Sequence, residues 1–123
     1  MNSIRSVGVD IVEIARIKTA YLRWGRSFLE KIFVSDEIEY CMSKANPYPS
    51  LAGRFAAKEA AFKALSNAGI KVERWHHLIV CRSPEGLPFL YSEGVKGIEL
   101  HLSISHTREM AVAMVVAQTN HGL

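Results

Sequence analysis

Chemically distinctive side chains recur at helical spacing between positions 54 and 63 of this 123-residue chain. At about 100° per residue they fall on one half of a helix, and the other half is built almost wholly of alanine. The alanine half would let the helix approach a sheet or another helix closely. The opposite half would carry three cations, one carboxylate and two aromatic rings, which are Arg54, Lys58, Lys63, Glu59, Phe55 and Phe62.

The three cations suit a ligand with several phosphates, because each can make charge-assisted hydrogen bonds to phosphate oxygens. The alternative is an ordinary solvated face, in which Glu59 and Lys63 form an i,i+4 pair worth about 0.2–0.5 kcal/mol. Phe55 and Phe62 argue against that alternative, since a solvated helix has no reason to expose both rings. They suggest a groove or a subunit interface.

A carboxylate among these cations indicates a metal ion. Glu59 would repel a phosphate unless a cation lay between them, and Mg²⁺ held by one or two carboxylates plus phosphate oxygens is the usual arrangement. Asp10 is the natural second carboxylate. Val7, Val9 and Ile11 alternate along a predicted strand, which would place them on one face and Asp10 on the other, at the strand end. The alternative for Asp10 is a cap or turn residue.

A third segment, residues 103–107, offers hydroxyls, an imidazole and backbone N–H groups. Ser105, His106 and Thr107 stand at the end of a strand in which apolar and polar residues alternate. Such groups can recognise phosphate, although an ordinary hairpin tip would have the same residues.

The remaining pattern predicts the elements that must position these groups. Helices are expected from Ile14, from an N-cap at Ser35 to about 44, and over 51–68 between a Ser50 cap and Gly69. Strands are expected at 78–82, 89–91, 99–105 and 110–117, with a possible short helix over 92–98. This order predicts an α+β fold, an antiparallel sheet packed by a long central helix and smaller helices.

Composition limits the classes of protein to which the chain can belong. It is 49% hydrophobic and 22% charged, typical of one globular domain over residues 1–123, and its net charge of +3 favours an anionic partner. Nucleic acid, a phosphate-rich cofactor and an acidic protein all fit. The longest apolar run, 110–117, is too short to cross a membrane, and no signal peptide is evident. Two cysteines without C-x-x-C spacing predict reduced thiols, so we expect a cytoplasmic protein.

Three segments together resemble the holo-acyl-carrier-protein synthase family, the short, single-domain class of 4′-phosphopantetheinyl transferases. Residues 8–17 (GVDIVEIARI) resemble the family's N-terminal Gly-x-Asp-Ile-x-Glu-x-x-Arg-Ile motif. Residues 51–60 (LAGRFAAKEA), followed by Lys63, match the central motif nearly letter for letter, and residues 103–107 (SISHT) resemble the C-terminal motif. The resemblance spans essentially the whole chain and implies the 4′-phosphopantetheinyl transferase fold.

The resemblance implies that the phosphopantetheine arm of coenzyme A is transferred to a serine of an acyl-carrier protein, leaving adenosine 3′,5′-bisphosphate. Mg²⁺ would be required and would be held by the carboxylates that align with Asp10 and Glu59. Lys63 and His106 would offset the negative charge that develops during transfer. The base for the serine is either Glu59 itself or a carboxylate acting through a metal-bound water.

The resemblance also implies where the substrates bind. Coenzyme A would lie against the residues aligned with Arg54, Phe55, Lys58, Lys63, Gly86, Pro88, Ser105, His106 and Thr107. An acidic carrier protein would dock on a basic helix, for which the candidates are Arg16, Arg23, Arg26 and Phe28. The family is trimeric with coenzyme A between subunits, which would account for exposed aromatic rings on the central helix. No nucleic-acid or membrane partner is expected.

The chain departs from the family's common pattern at three positions. His77 and Ile79 stand where an acidic pair follows the Trp, and Leu87 stands where a Lys often lies in the adenine-side turn. A different class of function stays open beside the enzyme. It is a non-catalytic basic module that binds coenzyme A, a nucleotide or nucleic acid through the cations of the central helix.

Overall fold

The computed structural model describes residues 3–119, so the outermost residues of the predicted domain, 1–2 and 120–123, lie outside the described range. One strand comes first along this range, followed by four helices, a 3₁₀ turn and four further strands. Their order is β1 (Ser3–Glu13), α1 (Ile14–Trp24), α2 (Arg26–Glu30), α3 (Ser35–Met42), α4 (Tyr48–Asn67), a 3₁₀ turn (Trp75–His77), β2 (Leu78–Arg82), β3 (Pro88–Ser92), β4 (Ile98–His106) and β5 (Met110–Thr119).

The strands form two antiparallel sheets. One has the order β1-β5-β4, and the other is the β2-β3 hairpin. Helix α4 packs on one face of the larger sheet through its buried alanines, mainly against β1 and β5. Gly8 allows this close approach, because a Cβ atom there would lie 1.9 Å from the backbone oxygen of Ala60. The predicted α+β class and the alanine face are confirmed.

The predicted division of β1 into an aliphatic face and a face that carries Asp10 is confirmed. Gly8 and Val12 are buried under α4, and Asp10 shares that face and is half-buried. Val7, Val9 and Ile11 lie on the opposite face and are exposed by 48%, 54% and 62%. The buried face is the one with Gly8 because the glycine lets α4 approach closely, and the aliphatic face remains exposed.

Three helix boundaries differ from prediction. Helix α4 begins at Tyr48 with Pro47 at its N-cap, so Ser50 is a helical residue and not the cap. Val34 and not Ser35 is the N-cap of α3, and its backbone N–H donates to the Glu37 carboxylate at 2.9 Å. The first helical stretch is broken into α1 and α2 at Gly25, whose φ of 66° favours glycine.

The predicted short helix over 92–98 is wrong. Strand β3 runs to Ser92, and a turn with left-handed glycines at 94 and 97 leads directly into β4. The strands at either side are confirmed, and β2 and β3 pair in the register that places Arg82 opposite Pro88.

A buried ion pair joins α4 to its neighbours. The Lys58 ammonium donates to Glu37 Oε1 at 2.7 Å, to the Ile32 carbonyl at 2.9 Å and to the Trp75 carbonyl at 3.3 Å. Glu37 Oε2 accepts from the Val80 N–H at 2.9 Å. Lys58 and Glu37 therefore fix α3, α4, β2 and the 3₁₀ turn against one another.

Candidate active site

Two pockets lie on opposite sides of α4. One, which we call the carboxylate pocket, lies between α4, β1 and the first two helices and encloses about 310 Å³. Its lining residues are Asp10, Ile11, Val12, Arg16, Ile17, Ala20, Phe28, Phe55 and Glu59. The other, the cation pocket, lies between α4, α3, β4 and the hairpin and encloses about 260 Å³. Its lining residues are Tyr40, Lys44, Pro49, Ser50, Gly53, Arg54, Arg82, Pro88, Ile104 and His106.

Asp10 reaches the carboxylate pocket from within β1 and not from a strand end, since the strand continues to Glu13. It lies opposite Ala113 in the sheet, on the face that α4 covers. Lys63 donates to Asp10 Oδ1 at 3.1 Å and to the Val9 carbonyl at 3.0 Å. The lysine side chain is half exposed, so its ammonium is at the same time fixed and accessible.

Glu59 completes a pair of carboxylates. Its pKa is raised, first by burial and then by the negative charge of Asp10, while Lys63 acts in the opposite direction. The influence of Asp10 shows that the two carboxylates are electrostatic neighbours. Such hard oxygen donors fit Mg²⁺, which takes one or two carboxylates and otherwise water or phosphate oxygens. No third His, Cys, Asp or Glu joins the pair within residues 3–119, so substrate and water would complete the coordination.

The aromatic residues of α4 pack within the chain. Phe55 stacks on Trp75 with ring centroids 5.5 Å apart, and Phe62 meets the same ring edge-on at 5.2 Å. Both rings therefore have a packing partner within the chain and remain partly exposed. Phe55 still forms a wall of the carboxylate pocket, beside Glu59.

The cation pocket has the character of a polyanion site. It is lined by Lys44, Arg54, Arg82 and His106 and by no acidic side chain. Arg54 is 7% exposed, and its Nε atom has no hydrogen-bond partner among the described residues.

The structure brings some predicted phosphate ligands into this pocket and leaves others outside it. Arg54, His106 and Pro88 meet there, although they come from three different elements. Lys58 does not, because its ammonium is fully buried and engaged by Glu37, Ile32 and Trp75, so its prediction as a phosphate ligand is wrong. Burial lowers the pKa of Lys58, and the Glu37 carboxylate opposes that shift.

Three further residues that were predicted to contact coenzyme A lie outside the lining of the cation pocket. Ser105 alternates with Ile104 and His106 on β4, so its hydroxyl lies on the sheet face away from α4. The Thr107 hydroxyl accepts from the N–H groups of Glu109 and Met110 and shapes the β4-β5 turn. Gly86 adopts a φ of 85° in the hairpin turn that leads to Pro88.

The two pockets share no lining residue. Arg54 and Glu59 are five residues apart on α4, and their side chains therefore leave the helix about 140° apart. Asp10, Glu59 and Lys63 are together on one side, while Arg54 and His106 are together on the other. Lys63 and His106, predicted to act on the same phosphates, do not meet within one chain.

Sequence reasoning missed Tyr40, Lys44 and Arg82. None belongs to the three motifs, and each lies in an element that appeared to have no chemical function. One signal was available for Arg82: it ends a predicted strand whose hairpin partner was predicted to begin directly after Pro88, and the structure pairs the two residues.

The predicted docking residues separate into two groups. Arg16 and Phe28 line the carboxylate pocket, next to the catalytic candidates. Arg23 lies over the Trp24 ring at 5.0 Å, and Arg26 pairs with Glu30 at 3.1 Å on the exposed surface. Leu22 and Trp24, which belong to α1 like Arg23, are exposed by 67% and 61% and add apolar area to this surface.

Comparison with known proteins identifies the family of the chain. A model of the ACPS family, described as the 4′-phosphopantetheinyl transferase superfamily, matches residues 6–115. The chain belongs to this family. The identification made from the three motifs is confirmed.

The curated relatives and solved structures of the family cover nearly the whole chain. Holo-[acyl-carrier-protein] synthase from Chlamydia trachomatis serovar D is 48% identical, over 91% of this chain and 98% of the relative. Its counterpart from Chloroherpeton thalassium is 44% identical, over 91% and 96%. The crystal structure of the Bacillus anthracis synthase in complex with CoA (3′,5′-ADP) matches with a TM-score of 0.80 and 32% identity, over 95% and 98%. The Helicobacter pylori synthase in complex with coenzyme A matches with a TM-score of 0.78 and 34% identity, over 90% and 98%.

None of the helices within residues 3–119 is long and apolar enough to cross a membrane.

Proposed function

We propose that this family member transfers the 4′-phosphopantetheine group of coenzyme A to a serine of an apo acyl-carrier protein, with Mg²⁺ held by Asp10 and Glu59. The observation that carries the proposal is the pairing of a two-carboxylate pocket with an acid-free pocket of cations on the same helix. Coenzyme A contains the phosphates that the cations suit, and the relatives with this fold are named for this reaction.

The reaction moves one phosphoryl group between two oxygens. The serine Oγ attacks the phosphorus that bears the pantetheine arm, the bond from that phosphorus to the bridging pyrophosphate oxygen breaks, and adenosine 3′,5′-bisphosphate leaves. Such transfers depend on alignment and charge neutralisation more than on covalent participation of the protein. Bound Mg²⁺ would neutralise charge on the pyrophosphate oxygens.

The side chains of the protein supply the remaining steps. Lys63 presents an ammonium beside Asp10, where it can bind an oxygen of the transferred group. Arg54 and His106 bind phosphates of the leaving nucleotide from the cation pocket. The carboxylates of Asp10 and Glu59 are the proton acceptors in the pocket where the serine would enter, directly or through water.

The carrier protein would dock on α1 and α2. Arg16 and Phe28 border the carboxylate pocket, so an acidic carrier bound there would present its serine to Asp10 and Glu59. Arg23 and Arg26 would mainly accelerate encounter, because exposed charges steer association more than they add affinity.

We also propose a homotrimer with each active site between two subunits. Two observations support it: the two pockets point away from each other, and one sheet face is apolar and uncovered. That face carries Val7, Val9, Ile11, Val112, Met114 and Val116, of which Met114 is 46% exposed. A contact that pairs the carboxylate pocket of one subunit with the cation pocket of the next is heterologous, and in a closed ring it would give every subunit one complete site. That the ring has three subunits is implied by the resemblance to the family.

The two free thiols, Cys41 and Cys81, support a reducing compartment, and we propose the cytoplasm. The carrier would belong to fatty-acid or polyketide biosynthesis.

The test is mass spectrometry of apo carrier proteins of both kinds after incubation with the chain, coenzyme A and Mg²⁺. We expect a phosphopantetheine adduct on the carrier serine, its loss when a chelator removes the metal, and its return when Mg²⁺ is restored. Undiminished transfer in metal-free buffer would contradict the Mg²⁺ assignment. Absence of an adduct on every carrier, together with salt-sensitive binding of nucleic acid, would favour the non-catalytic module.

A further inference from the structure

We infer that Tyr40 is a positioning residue that gathers the cations of the cation pocket for the phosphates of coenzyme A. The inference rests on the proposed function, because it names a residue that arranges the donors on which that function depends. Tyr40 belongs to none of the motifs that relate the chain to its family.

Three cations surround the Tyr40 ring. The guanidinium carbon of Arg54 lies 4.3 Å from the ring centroid, the Lys44 ammonium lies at 4.7 Å, and the guanidinium carbon of Arg82 lies at 4.9 Å. These distances are within the range in which the negative face of an aromatic ring attracts a cation. Arg82 also donates from Nη1 to the Tyr40 hydroxyl. One ring therefore contacts all three long cations of the pocket.

The three cations come from separate elements and would otherwise repel one another. Lys44 follows α3, Arg54 lies on α4 and Arg82 ends β2. A carboxylate could also hold them together, but it would occupy N–H donors and cancel the charge that attracts phosphate. No acidic side chain lines the pocket. The face of the ring attracts Arg54 and Lys44 without occupying their N–H donors, and only Arg82 donates to the Tyr40 hydroxyl.

The framework around Tyr40 does not depend on its ring. The Glu37 carboxylate, one turn earlier on α3, binds Lys58 on α4 and the Val80 N–H on β2. These contacts already hold α3 against the elements that carry Arg54 and Arg82. Loss of the ring should therefore disturb the arrangement of the cations before it disturbs the fold.

The test compares Tyr40→Leu, which removes the aromatic face, with Tyr40→Phe, which removes only the hydroxyl. For Tyr40→Leu we expect the KM for coenzyme A to rise about tenfold, with kcat within about threefold of wild type. The KM for the carrier protein should stay constant. Tyr40→Phe should recover most of the affinity for coenzyme A, and Tyr91→Leu, an exposed tyrosine outside both pockets, is the matched control. Titration calorimetry with coenzyme A should give the same ranking without turnover.

The outcomes separate this inference from the proposed function. If the wild-type chain neither binds coenzyme A nor modifies a carrier, both fail. If wild type is active and Tyr40→Leu keeps its KM for coenzyme A, or Tyr40→Phe is as defective as Tyr40→Leu, only the role of Tyr40 is overturned. Should Tyr40→Leu not fold, Tyr40→Met is measured in the same way. Failure of both to fold would assign Tyr40 to the core and would also overturn the inference.

Discussion

The carboxylate pocket and the cation pocket are built on the same helix but differ in their charged groups. The first places Asp10 and Glu59 beside Arg16 and the accessible Lys63, so acids and bases are mixed, and the second combines four basic side chains with no acid. Each contains one half of what phosphoryl transfer needs: one a place for a divalent cation and an incoming serine, the other a place for a leaving nucleotide. Helix α4 separates these two sets of groups within one chain, and the homotrimer proposed above would bring them together.

Two lysines of α4 differ in burial and therefore in their expected roles. Lys58 and Lys63 stand five residues apart in one motif, yet Lys58 is fully buried and Lys63 is half exposed beside Asp10. The first should determine whether the protein folds, and the second should determine whether it reacts.

The largest effect is expected from Glu59→Gln. It removes one of the two carboxylates while preserving shape, so transfer should fall by about 10²–10³-fold or more. The rate is measured by the mass assay at saturating coenzyme A, and Glu85→Gln, in the exposed hairpin turn, is the matched control. Wild-type activity in Glu59→Gln at ordinary Mg²⁺ would remove the carboxylate pocket from the mechanism.

The same variant should not lose stability. The folded-state pKa of Glu59 is raised above its ordinary value of 4.5, so ionised Glu59 opposes folding at neutral pH and ceases to do so as pH falls below 4.5. Glu59→Gln should therefore melt at or above the wild-type temperature at pH 7, and that advantage should shrink as pH approaches 4.5. An advantage that grew on acidification would mean that the sign of the pKa shift is wrong.

Lys58→Met should cost about 3–5 kcal/mol of unfolding free energy, because it leaves the Glu37 carboxylate buried without its cation. Denaturant unfolding at fixed protein concentration measures this loss. The double variant Glu37→Leu with Lys58→Met should recover part of it, since no uncompensated charge then remains. A single variant with the midpoint of wild type would show that Lys58 is not the buried anchor that the contacts indicate.

Lys63→Ala should give the opposite result to Lys58→Met. Its ion pair with Asp10 is accessible to water, so its loss should change stability by less than about 1 kcal/mol. Transfer should nevertheless slow markedly, with kcat reduced more than the KM for coenzyme A. A stability loss as large as that of Lys58→Met, or an unchanged kcat, would erase the distinction between the two lysines.

The smallest effects belong to the docking helices. Arg16→Ala should raise the KM for the carrier protein, because Arg16 borders the carboxylate pocket, whereas Arg26→Ala should raise it less, because Glu30 already pairs with Arg26. Both effects should weaken as salt is added. Equal effects of the two substitutions, without salt dependence, would argue against electrostatic docking on this surface.

The sequence predicted the elements of the fold and the two faces of β1, but it did not show which face the central helix covers. Alternation separated Val7, Val9 and Ile11 from Asp10, and the structure places α4 on the side of Gly8, Asp10 and Val12. Packing decides this, since alanines on α4 and a glycine on β1 allow the closest approach. The aliphatic face that stays exposed is the one that the proposed trimer would cover, and alternation along a single strand does not reveal such a partner.

The same limit applies to the candidate site. The motifs identified Asp10, Glu59, Lys63, Arg54 and His106 because their chemistry is unusual for their positions. They could not separate Lys58 from Lys63, since spacing gives the direction of a side chain but not what covers it. Tyr40 and Arg82 were missed because only the tertiary fold brings α3 and β2 to the same pocket.

The most direct measurement mixes two inactive variants. One chain has Asp10→Ala with Glu59→Ala and lacks the carboxylate pocket, and the other has Arg54→Ala with His106→Ala and lacks the cation pocket. Each should be inactive alone, and trimers formed at random from equal amounts should recover about one quarter of the wild-type sites. Affinity tags on the two chains confirm that mixed trimers have formed. Recovery near one quarter is the result that we predict, and mixed trimers without activity would contradict an active site shared between subunits.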